Sequence, residues 1–362
     1  MLRRHAIAVA TFFGIVIAFG GCNVVFHEGV EFDAAPGVDG SDAPAPLPAN
    51  IVFITANIYN GALGGISGAN AKCQLEAMTN GVEGEFVALI ADNNQNYIGG
   101  LGTASRGWTT RSGTIVADMP TDFLNGEILH PITELADGKP LSSTTALWTG
   151  SYATGEIGPN CTGWSSTGAT GLVGDAELDK AGVGAAAGCD VERHLLCAGK
   201  GRVVEIRPPT LAVADKRIFI SRKPFTSNSG RAEADRICRE EAIAAALPQG
   251  EGYLAILGVS STSALVRFSN EIYYRTDGVA IGPLASAPLS FLDREATGKR
   301  TAGGGVVASG WSATDPTLFC SDWGDNSANQ LVLAYGDFAG ERARNYGTDR
   351  CSSPHLVYCA LP

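Results

Sequence analysis

Histidine is scarce in this 362-residue chain: only five occur, at positions 5, 27, 130, 194 and 355. No His-Glu-x-x-His pair and no Gly-x-Ser-x-Gly elbow is present, which removes the zincin and serine-hydrolase arrangements. No Cys-x-x-Cys pair occurs, which argues against a zinc site. Basic residues are outnumbered, with 26 Lys and Arg against 37 Asp and Glu and a net charge of −11. No Lys/Arg cluster reverses that balance locally, so a phosphate backbone is repelled and nucleic acid is not an expected partner. Apolar runs are short as well. None reaches the roughly 20 residues that a membrane-spanning helix needs.

The longest such run, Ala6 to Gly20, follows Arg3 and Arg4 and leads into Ala18-Phe19-Gly20-Gly21-Cys22. A short positive region, an apolar stretch and small residues make a secretory signal over residues 1–21. Small residues directly before a cysteine resemble the lipobox of bacterial lipoproteins, with Phe19 in place of the usual Leu. That resemblance implies a lipidated Cys22 anchored in the cell envelope, at the outer membrane; the alternative is plain secretion. Residues 22–49 are rich in Pro, Ala and Asp and are expected to be a disordered tether.

Residues 51–77, "IVFITANIYNGALGGISGANAKCQLEA", place a strand-like run, four glycines and a helix start in succession. That order matches a phosphate-binding loop. The rest of the chain argues otherwise, because it repeats. From Cys73 the cysteines step by 88, 28 and 8 residues, and from Cys238 by 82, 31 and 8. "IVFITANIYNG" answers "RIFISRKPFTS", "FVALI" answers "YLAIL", "LWTGSY" answers "GWSAT", "CTGW" answers "CSDW", and "CDVERHLLCA" answers "CSSPHLVYCA". Such agreement over about 150 residues marks a duplication. The boundary falls in residues 199–216, around Pro208-Pro209. In the second copy Gly61, Gly64 and Gly68 become Thr226, Ser229 and Glu233. A carboxylate on the rim and the lack of a Lys-Ser/Thr pair exclude a nucleotide cradle. Only Gly65 persists, as Gly230, and these two are expected where φ is positive or packing is close.

The motifs "YNGALGGISGANAKCQ", "FVALIAD", "LWTGSYATG", "CTGW" and the terminal "HLLCA" resemble the C-type lectin-like domain, nearest its bacterial endostatin-like branch. The resemblance covers residues 50–198 well and residues 217–362 more loosely, and residues 112–139 fit the branch too. It implies an α+β fold: two tandem disulfide-stapled, loop-rich domains, each with a twisted antiparallel sheet and one or two helices. Eight cysteines besides Cys22 allow roughly a hundred pairings. The resemblance chooses Cys73–Cys197, Cys161–Cys189, Cys238–Cys359 and Cys320–Cys351. An even, exported set without metal spacing reads as disulfides in any case.

Calcium-dependent sugar binding in the wider fold uses Glu-Pro-Asn or Gln-Pro-Asp and Trp-Asn-Asp triplets, which this chain lacks. The nearest approach is Asp322, Asp325 and Asn326 in "CSDWGDNSANQ", a composition typical of a solvated turn. No cofactor is expected, and a calcium ion at Asp322, Asp325 and Asn326 is the weaker alternative. His194 and His355 stand three and four residues before their cysteines, out of register for a shared catalytic base. Trp148, Trp164, Trp311 and Trp323 recur beside the second cysteine of each copy, Cys161 and Cys320, and are assigned to the core. Trp108 has no evident counterpart and is the candidate exposed contact, with Tyr273, Tyr274 and Arg275 in the shorter region of the second copy. The expected function is a non-enzymatic, calcium-independent binding or adhesion module with a protein or glycan ligand and no nucleotide. A structural envelope component and a calcium-dependent carbohydrate binder are the alternatives. A binding module is expected to show an aromatic-rimmed patch in loops 92–145 or 258–305.

Overall fold

Branched and aromatic side chains favour extended backbone, and Asn50–Ile54 forms the first strand, β1, with Val52, Phe53 and Ile54 fully buried. The computed structural model describes residues 48–362 apart from 142–144, 153, 179–184, 260–261, 287, 302–304, 310–318, 325–329 and 345. Cys22, the signal and the tether up to residue 47 lie outside the described residues. After β1 come α1 (Gly65–Thr79), β2 (Glu85–Ala88), β3 (Trp108–Thr109), β4 (Ile115–Ala117), β5 (Ala146–Trp148), β6 (Thr170–Asp175), β7 (Ala186–Gly188) and β8 (Leu196–Lys200). The second half repeats that order as β9 (Lys216–Ile220), α2 (Gly230–Ala244), β10 (Leu254–Ala255), β11 (Ile272–Arg275), β12 (Ala280–Pro283), β13 (Val306–Ala308), β14 (Gln330–Tyr335), β15 (Gly347–Arg350) and β16 (Leu356–Ala360). The architecture is mixed α+β, with few helices and several sheets.

In each half the last strand lies antiparallel to the first, with Phe53 opposite Cys197 and Phe219 opposite Cys359. The third strand runs parallel to the first, pairing Asn50 with Trp108 and Lys216 with Tyr273. The first half has a five-stranded sheet, β2-β8-β1-β3-β4, and a separate three-stranded sheet, β5-β6-β7. One parallel bridge, Leu147 to His194, relates the two. In the second half that bridge widens into pairing of β13 with β16, which joins everything into one eight-stranded sheet.

Four disulfides form: Cys73–Cys197, Cys161–Cys189, Cys238–Cys359 and Cys320–Cys351. Each first bridge ties the long helix to the last strand, and each second one pins an unusual turn. Cys161 to Trp164 and Cys320 to Trp323 all have φ between +49° and +66°, a single left-handed turn in each half. L-residues resist that conformation, and the cross-link and the tryptophan anchor hold it here. Trp164 Nε1 donates to Ala91 O at 2.8 Å, and Trp323 Nε1 to Gly258 O at 2.6 Å. Gly65 and Gly230, the glycines shared by both copies, have φ of +73° and +76° at the helix starts.

The segment between the halves is bound to the first. Val204 N donates to Arg106 O at 3.1 Å and Ile206 N to Asp118 Oδ1 at 2.7 Å. A Cβ on Gly107, whose φ is +78°, would come within 1.9 Å of Val204 O. Leu47–Pro362 forms one compact unit. Phe291 and Ala339, from the second half, sit in the buried cluster that holds Val52, Trp108, Phe123 and Ile132 of the first.

Candidate functional site

The residues singled out for ligand contact are mostly interior. Trp108 is fully buried, its indole nitrogen donates to Gly199 O at 2.8 Å, and its ring meets Phe123 edge-on at 5.4 Å. It also has a counterpart. The shared register beside β1 and β9 places Tyr273 where the first half has Trp108, and Tyr273 is fully buried too. Both point inward because a strand pinned against the central sheet must bury one of its two faces. Arg275 is 1% exposed, with Nη2 at 2.6 Å from Asp277 and Nη1 at 3.3 Å from Asp293. Tyr274 is half-buried. These positions do not form an exposed aromatic patch, and Phe123, Tyr97 and Phe291 in the same loops are buried as well.

The tryptophan match is also revised. Leu147 bridges His194 and Val307 pairs with Leu356, so Trp148 corresponds to Ala308 rather than to Trp311. Trp311 itself lies outside the described residues. Trp148 and Trp164 pack at 5.8 Å in the first core, and Trp323 packs at 5.8 Å against Phe225. The same registers make His194 the counterpart of Leu356, and His355 that of Arg193. His194 Nδ1 donates to Thr55 O at 2.6 Å, and His355 Nε2 lies 3.1 Å from Asp349 Oδ2. Asp322 is exposed in its left-handed turn, while Asp325 and Asn326 lie outside the described residues. Among the described residues no group of three or more His, Cys, Asp or Glu is placed to hold a metal ion.

The site that the structure assembles lies where the halves meet. Thr110, Thr114, His130, Pro131, Thr133 and Glu134 of the first half and Ala280 and Leu289 of the second line a cleft of about 230 Å³. Thr110 follows β3, Thr114 precedes β4, and the segment 128–134 returns along the sheet to β1, where Ile54 N donates to Glu134 O at 2.8 Å. The Glu134 carboxylate accepts from Thr110 Oγ1 at 2.8 Å, from Ser112 N at 3.1 Å and from Ser112 Oγ. His130 Nδ1 lies 2.8 Å from Ile115 O, and since a carbonyl only accepts, that nitrogen carries the proton. Burial lowers the proton affinity of this imidazole below the ordinary histidine value, and the Ile115 carbonyl partly offsets it. Leu289 is 62% exposed and forms an apolar flank.

The second half fills the equivalent place. Ile220 N donates to Arg294 O as Ile54 N does to Glu134 O, so Arg294 takes the place of Glu134. By the same hairpin, Leu141 N to Thr133 O and Thr301 N to Asp293 O, Asp293 takes that of Thr133. Arg275 takes that of Thr110 by strand register. Arg294 contacts Asp277 and Asp293, each at 3.0 Å, and reaches across the junction to Glu127 at 2.7 Å. Burial raises the Asp277 carboxyl, but Arg275 and Arg294 outweigh it and hold the group below the usual carboxylate range. For Asp293 burial prevails and the shift is upward.

The chain was compared with known protein families and with curated proteins, and it matches none of them. Four disulfides place the described region in an oxidising, extracytoplasmic setting. Among the described residues no helix is long and apolar enough to cross a membrane. Sequence reasoning missed His130 and Glu134 as a pair with Leu289. The only signal was their place in residues 112–139, because nothing in the sequence shows which segment of one copy faces which segment of the other.

Proposed function

We propose that the chain is a non-enzymatic binding module of the bacterial envelope, built from two C-type lectin-like domains and held through a lipid on Cys22, at the outer membrane. The observation that carries this reading is the cleft shared by Thr110, His130 and Glu134 with Ala280 and Leu289. Polar groups converge there on a scaffold stapled by cross-links and buried sheets, and fixed groups on rigid support are what recognition needs. The cysteine framework and the antiparallel pairing of first and last strands support the lectin-like assignment.

The test is a screen of the oxidised full chain against glycan and matrix-protein arrays, with calcium and with chelator. The expected result is a chelator-insensitive hit that a Leu289→Arg variant loses, since Leu289 is exposed and its change leaves the core intact. A chelator-sensitive glycan hit would favour calcium-dependent sugar binding. Silence on both arrays would favour a structural envelope component.

A further inference from the structure

We infer that the cleft at the junction receives a basic side chain, a lysine ammonium or arginine guanidinium of a protein partner; the inference rests on the binding-module reading and names its ligand chemistry. The first observation is the state of Glu134. Its carboxylate is oriented by three donors, two from Ser112 and one from Thr110, yet it makes no ion pair among the described residues. A carboxylate held in place by neutral donors is oriented for a charge-assisted bond to a cationic side chain.

The second observation comes from the other half. There the equivalent place is packed with guanidinium and carboxylate: Arg275 and Asp293 stand where the first half has Thr110 and Thr133. Arg294 stands where the first half has Glu134, so the second half balances two guanidiniums with the carboxylates of Asp277 and Asp293 among its own side chains. In the first half Thr110 and Thr133 are neutral, and Glu134 is a carboxylate with no cation paired to it among the described residues. The first half leaves that cation to a molecule from outside.

The third observation is the wall. Pro131 and Leu289 are apolar and flank the polar floor, which suits the methylene stem of a lysine or arginine whose charged head reaches Glu134. The net charge of −11 draws basic partners toward the surface.

The experiment titrates Nα-acetyl-lysine-N-methylamide, and the arginine analogue, into the isotope-labelled oxidised full chain, followed by amide chemical shifts. Nα-acetyl-norleucine-N-methylamide, which keeps the stem and drops the charge, and methyl α-glucoside serve as comparators. We expect the basic amides to bind and to shift resonances of residues 110–116 and 128–134, with norleucine at least about tenfold weaker. Glu134→Gln keeps one acceptor oxygen for the Thr110 and Ser112 hydroxyls, gives up the acceptor for Ser112 N, and should lose a similar factor. Equal binding of lysine and norleucine, unchanged binding in Glu134→Gln, no binding by either basic amide, or binding of the glucoside alone would each overturn the inference. The lysine–norleucine comparison is made on the unaltered protein and so does not depend on how the variant folds. An array hit together with silence toward the basic amides would sink this inference and leave the binding-module reading standing.

Discussion

Leu178 and Phe338, three residues beyond the ends of β6 and β14, pair with one another in an antiparallel bridge. They hold equivalent places in the two halves, and an element that pairs antiparallel with its own counterpart sits on a local two-fold axis. The junction is therefore built like a homodimer interface within one chain. Around it Ala339 N donates to Glu177 O at 3.1 Å, Arg342 meets Asp175 at 2.6 Å, and Phe291 enters the core of the first half. Phe291→Ala should cost about 3–5 kcal/mol and, in calorimetry, split a single unfolding transition into two. A small loss with one transition retained would show that Phe291 does not couple the halves.

Arg294 and Glu127 form an ion pair across the junction, but they are unequal partners. Arg294 is 3% exposed and also serves Asp277 and Asp293, whereas Glu127 is 47% exposed. Arg294→Met should destabilise by about 3 kcal/mol, because buried carboxylates lose a partner. Glu127→Gln should cost under about 1 kcal/mol. Urea denaturation of both variants measures the contrast, and similar losses would contradict it.

Trp108 is a core residue, so its loss should appear in stability. Trp108→Phe removes the donor to Gly199 O and part of the ring that meets Phe123, with an expected cost of about 2–3 kcal/mol from the unpaired carbonyl and the lost volume. Thermal denaturation checks it; an unchanged midpoint would show that the indole is dispensable there.

Thr162 carries a β-branched side chain at φ 57°, in the left-handed turn fixed by Cys161–Cys189. It is exposed, so little packing compensates. Thr162→Gly should stabilise the protein by about 1 kcal/mol, against the usual direction for a change to glycine. A lowered unfolding midpoint would argue that the turn relaxes in solution.

Acid should weaken the protein below about pH 6.5, partly through His130. Burial lowers its proton affinity, Arg275 acts in the same direction, and the Ile115 and Ala280 carbonyls and Asp277 offset part of this. The unfolded chain then binds the proton at a higher pH than the folded one, so stability is lost as pH falls through the unfolded value near 6.5 toward the lower folded value. His355, lowered by burial against the pull of Asp349, contributes in the same sense. His130→Gln should flatten the decline in stability between pH 7 and 5.5 without abolishing it. An identical slope in the variant would place the titration elsewhere.

How much was legible differs between the elements. The strand at Asn50–Ile54, both long helices and the positive φ of Gly65 and Gly230 follow from local composition. Trp108 misled because polar neighbours, "TASRG" and "TTRSG", suggested a surface loop. A two-residue strand carries too short an alternation to show that its tryptophan faces inward. The match of Trp148 with Trp311 failed for a related reason: identity of residue type outweighed strand register, which only the pairing of β13 with β16 fixes.

By itself the sequence determined the duplication, the oxidised cysteine framework and the acidic surface, since spacing and charge are properties of the chain and need no partner segment. The tertiary structure alone decided that Trp108 and Tyr273 are equivalent and buried, and that Glu134 and His130 share a cleft with Leu289. Those relations join positions more than a hundred residues apart. They depend on which faces of the two halves are complementary, and no local pattern carries that information.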